Sequence, residues 1–151
     1  MARFTHPAIS SGGASDDGSW QIEGGTTGEG AVQPTFDGNP LFLGHYEVLD
    51  KICTFAVEVD MSNITDFGEG QYFIKLPFAT HHPLLLANGC LHDFSGDDQY
   101  AILGHVEAGS DIMTLQSIGS NGRHVPFTAT GPVGLDVEDT FHIAGTYEIL
   151  H

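Results

Sequence analysis

The sequence predicts an all-β fold, an antiparallel β-sandwich of jelly-roll-like type with an extended N-terminal arm. Three observations predict it. Apolar and polar residues alternate with period two over 52–60, 71–76 and 140–148. Glycine, present 20 times, and turn dipeptides separate these runs. No window carries an apolar stripe of helical period over three turns.

The chain divides into a Gly/Ser-rich arm over 1–37 and a β-sandwich domain over 38–151. In the arm, SSGGASDDGS (10–19), GGTTGEG (24–30) and Pro34 hold no regular core. The large apolar residues Phe4, Ile9, Trp20, Ile22 and Phe36 lie within it. A tryptophan among polar neighbours needs a surface to bury against. The segment is therefore either a first strand with loops or an arm that orders on a neighbouring subunit. Those five residues are the candidate assembly contacts.

From residue 41 the chain reads as strands. LFLGHYEVLD (41–50) and ICTFAVEVD (52–60) form a hairpin turning at Asp50-Lys51. In the second, Cys53, Phe55, Val57 and Val59 share one face. SNITDFGEG (62–70) is a loop in which Gly68 and Gly70 allow positive φ on re-entry to a strand. That strand, QYFIKLPF (71–78), ends at Leu76-Pro77 because proline lacks the ladder donor. HHPLLLANGCLHDF (81–94) is apolar in two pieces divided at Asn88-Gly89, a strong turn dipeptide. SGDDQ (95–99) is a second turn, and 100–109 with 110–119 make another hairpin around Gly109-Ser110. SNGR (120–123) turns, 125–139 is interrupted β structure, and TFHIAGTYEIL (140–150) closes the fold. Asp139 opens that last strand after a turn, and Gly145 admits a neighbouring side chain onto its backbone.

With 151 residues the chain holds one domain with a core of its own. Its 20 acidic residues face only Arg3, Lys51, Lys75 and Arg123, for a formal net charge of −16. Such a surface repels phosphate, which excludes nucleic acid and anionic membranes as partners. It suits solubility at high copy number, or a basic or cation-binding partner. No apolar stretch approaches the ~18 residues of a membrane span, and residues 1–20 carry no secretory apolar region. Cys53 and Cys90 read as buried free thiols, with a disulfide as the alternative.

Nine histidines raise the question of a metal: His6, His45, His81, His82, His92, His105, His124, His142 and His151. Neighbours in a strand point to opposite faces, so His81 and His82 would not converge on one ion if both lay in a strand. No HxH, HExxH or Cys-x-x-Cys spacing occurs, and scattered histidines without metal or cofactor are expected. At a subunit interface they would make assembly pH-sensitive. The acidic pairs Asp16-Asp17 and Asp97-Asp98 and the group Asp136, Glu138, Asp139 read as turn carboxylates, since no twelve-residue calcium loop is present. No G-x-S-x-G occurs and neither cysteine lies among positive charges, so no catalytic residue is assigned. A non-enzyme is expected.

Three stretches carry a family resemblance. GNPLFLGHYEVLDKICTFAVEVDM (38–61) continues into ITDFGEGQYFIKLPF (64–78). GCLHDFSGDDQYAILGHVEAGSDIMTL (89–115) and VPFTATGPVGLDVEDTFHIAGTYE (125–148) follow. In that order they resemble a β-sandwich module of virion proteins of tailed actinobacterial phages, minor tail proteins above all. The glycine-rich loop before Leu76-Pro77 and the closing strand are its most specific parts. The resemblance implies a structural virion component without enzyme activity, and supplies no catalytic residue. The expected protein is a minor tail protein, assembled in the host cytoplasm, packing with other virion proteins and with itself as a trimer or another ring. A head decoration protein is the nearest variant. A carbohydrate- or receptor-binding module at the tail tip is the other alternative, taking a host-surface glycan on exposed aromatics; Trp20, Tyr46, Tyr72 and Tyr100 are the candidates, most of them expected in the core or an interface.

Overall fold

A computed structural model describes residues 15–20 and 22–151, with the side chains of 15–17, 19, 20, 86 and 87 left out. The described residues are all β, without a helix. The strands are β1 (Ser15–Trp20), β2 (Gly24–Val32), β3 (Thr35–Phe36), β4 (Leu41–Leu49), β5 (Ile52–Asp60) and β6 (Ile64–Asp66). They continue as β7 (Glu69–Lys75), β8 (Leu84–Asp93), β9 (Asp98–Val106), β10 (Ile112–Ile118), β11 (His124–Pro126) and β12 (Thr140–Glu148).

One antiparallel sheet runs in the order β1-β4-β5-β12-β8-β9-β10-β7-β2, with β11 paired to β10. A two-stranded sheet, β3-β6, lies apart from it. The large sheet curls over on itself, so its two ends face each other across the core. Three residues, 21–23, join the two outermost strands, β1 and β2. A Cβ built on Gly24 of β2 would lie 3.4 Å from the Phe42 ring of β4, which measures how near the ends approach. The facing layers of the sandwich thus belong to one curled sheet.

Period-two patterning explains the interior. Along β5, Cys53, Phe55, Val57 and Val59 are buried while the residues between them are not. Along β12, Phe141, Ile143 and Tyr147 do the same. The core adds Tyr46, Leu76, Ile102, Met113, Leu115 and Phe127, fully enclosed. Rings meet edge-on or tilted, as Tyr46 with Phe78 at 5.5 Å and Phe127 with Phe141 at 5.4 Å.

Several expectations need correction. Residues 15–36, read as either a first strand with loops or an arm, supply β1, β2 and β3, so strand structure begins before residue 38. Glycine-rich β2 is a weak strand former held by its partners. The Gln33 amide pairs with both the N–H and C=O of Thr26, and the Thr26 hydroxyl donates to the Val32 carbonyl. Asn88-Gly89 is no turn: β8 runs through it with a β-bulge between Leu86 and Gly89. Gly89 is wedged between strands, its Cβ position 2.8 Å from the Ile102 carbonyl and 3.0 Å from that of His142. The 62–70 loop contains the short β6. Gly68 and Gly70 do adopt positive φ, 73° and 116°.

Candidate functional site

Two surface regions gather chemistry. The first is the outer face of the β4–β5 hairpin. Opposite the buried row, β4 presents Leu41, Leu43, His45, Glu47 and Leu49 outward. Leu43 is 69% exposed and Leu49 57%, unusual values for leucine in a strand. Leu49 pairs directly with Ile52, itself exposed, so two apolar side chains sit together at the hairpin end. At the other end, Leu41 and Leu43 border a shallow depression with Pro40, Glu58 and Asp60. The face is apolar at both ends and polar between them, with Glu47 opposite Thr54 and His45 opposite Ala56.

The five candidate contacts from the arm separate. Ile22 is fully buried in this chain's own core, and Phe36 is half-buried, edge-on to Phe42 at 5.8 Å. Both pack within this chain, Ile22 in the link between β1 and β2 and Phe36 in β3 of the small sheet. Trp20 pairs through its backbone with Gly44. Phe4 and Ile9 lie outside the described residues. Of the aromatic residues named for glycan stacking, Tyr46 and Tyr72 are buried and Tyr100 packs against the core, as expected for most of them.

The second region is a histidine–carboxylate cluster, corrected here from scattered histidines. Beyond Pro77 the chain runs antiparallel to the residues around the end of β12, with Thr80 bridged to Ile149. The His81 N–H donates to the Glu148 carbonyl at 2.8 Å and the Leu150 N–H to that of Ala79 at 2.9 Å. Thr80 and Ile149 point inward and are buried, which turns His81 and Glu148 outward together. The Tyr147 hydroxyl fixes the approach: it donates to the Phe78 carbonyl at 2.9 Å and accepts from the Phe78 N–H at 3.1 Å. His151 folds back, its Nδ1 2.9 Å from the Ile149 carbonyl and 3.9 Å from Glu148 Oε1. The His81 and His151 rings stack at 4.7 Å, and His82 Nε2 lies 3.5 Å from Glu148 Oε2. One ligand atom each from His81, Glu148 and His151 fall within 4.8 Å of one another.

The remaining candidates are structural. Asp93 and Asp139, both buried, organise adjacent turns. Asp93 Oδ1 accepts from the Ser95 hydroxyl at 2.7 Å and the Gly96 N–H at 3.1 Å. These two bonds, the hydroxyl first, hold its carboxyl below the usual range. Asp139 accepts from the N–H groups of Phe94 and Asp136. Cys53 and Cys90 are free thiols; burial pushes Cys53 up to about 11, which makes it a poor nucleophile. Cys90 is only half-buried. No family model, curated protein or solved structure matches this chain.

Proposed function

We propose that this chain is a structural assembly module that packs with copies of itself, a trimer or another ring, as a minor tail protein of a tailed-phage virion. The observation that carries the reading is the outer face of β4–β5, where Leu41, Leu43, Leu49 and Ile52 are each more than 40% exposed on one side of a hairpin. Solvent contact at these side chains is unfavourable by about 25 cal/mol per Å2 of apolar surface. A folded β-domain gains by covering two such apolar ends. The acidic surface keeps free subunits soluble and leaves apolar contact as the attraction between them. The virion setting rests on the sequence resemblance over 38–148.

Cryo-EM of virions purified from cells in which this chain is expressed from its own gene tests the reading. Density for the domain at the tail, with Leu43 and Leu49 against a neighbouring copy, is the expected result. Density on the capsid shell favours a head decoration protein. Virions that lack the chain overturn the proposal.

A further inference from the structure

We propose that His81, Glu148 and His151 form a site for a divalent transition-metal ion of the Zn2+ class. Two imidazoles and a carboxylate are a ligand set suited to such ions. Tetrahedral coordination at ~2.0–2.2 Å places ligand atoms about 3.3–3.6 Å apart, against a separation here of up to 4.8 Å. Closing that gap takes side-chain rotations that also unstack the His81 and His151 rings. The side chains have the room, since those of Glu148 and His151 are 36% and 40% exposed.

Two observations beyond the grouping point to an ion. His81 Nδ1 is buried and has no hydrogen-bond partner among the described residues. A buried imidazole nitrogen without a partner is costly, and such a group calls for an unseen ligand. The backbone also preorganises the site, with His81 and Glu148 locked opposite each other by a main-chain hydrogen bond and the Thr80–Ile149 bridge. The chain's net charge of −16 raises the cation concentration around it. Three protein ligands leave a fourth position open to water, and His82 Nε2 lies 3.5 Å from Glu148 Oε2. The ion would staple residue 151 to the segment after β7, closing the end of the sheet.

The test is isothermal titration calorimetry of Zn2+ into the full untagged chain after chelator treatment. One saturable site per chain is expected. His151→Ala and Glu148→Gln should each weaken binding at least about tenfold, the smallest loss seen when even an outer partner of a metal ligand is removed. His124→Ala, outside the cluster, should leave it unchanged. His151 is exposed, so its variant keeps the test valid where a His81 variant fails to fold. Absence of saturable binding, or binding that survives His151→Ala and Glu148→Gln, overturns the proposal. Neither result bears on assembly through the β4–β5 face.

Discussion

At the scale of single residues, a few buried polar groups fix the irregular parts of the chain. Tyr147 is the clearest: one hydroxyl holds both main-chain groups of Phe78 and so seats the segment that carries His81. Tyr147→Phe keeps the ring and removes both bonds. It should lower unfolding free energy by about 1–3 kcal/mol, read as a shifted urea midpoint at unchanged slope. Asp93 has a pH consequence. Its folded-state carboxyl is held below the ordinary value, chiefly by Ser95 and then Gly96. It therefore contributes stability above the unfolded-state value near ~3.9, and that contribution is lost as pH falls through the lowered folded value. Asp93→Asn should flatten the acid limb of stability against pH, measured by urea titrations between about pH 2 and 6. An unchanged acid limb would show that other carboxylates carry it. The alternation that buries Cys53 and Tyr147 was legible in the sequence. The roles of Asp93 and Tyr147 were not, because their partners are backbone groups whose positions depend on the completed fold.

At the scale of elements, the hairpins were readable and the exceptions have identifiable causes. The β4–β5 and β9–β10 hairpins sit where alternation and turn residues place them. Asn88-Gly89 misleads because a glycine also serves where two neighbouring backbones crowd a strand. Gly89→Ala would push a methyl against the Ile102 and His142 carbonyls, which belong to main chain and cannot swing aside. It should destabilise by more than about 2 kcal/mol, in thermal or urea unfolding. A loss as small as that of a surface substitution would contradict the bulge. β2 was hidden because its strand character comes from β7 and the Gln33 amide, not from its own composition. The histidine cluster was hidden for a related reason: the pairing of 79–81 with 148–150 joins segments far apart in sequence.

At the scale of the whole molecule, a self-contained core is joined to an acidic surface with exposed apolar pairs at the two ends of one hairpin. With Ile22 buried and Phe36 half-buried, the proposed assembly surface is Leu41, Leu43, Leu49 and Ile52. Copies that meet there also bring together like charges from Glu47, Glu58 and Asp60. Screening weakens that repulsion, so association should tighten as salt rises from ~0.01 M to ~0.15 M, over which the Debye length falls from about 30 Å to 8 Å. Light scattering across that series reads the trend, and assembly driven by opposite charges would show the reverse. The most direct test is sedimentation velocity of the full chain beside Leu43→Glu and Leu49→Glu variants. Both positions are exposed, so each variant should fold with stability within about 0.5 kcal/mol of the parent. The account predicts a discrete oligomer for the parent and monomers for the variants. A parent that stays monomeric throughout, or variants that assemble as it does, would contradict it.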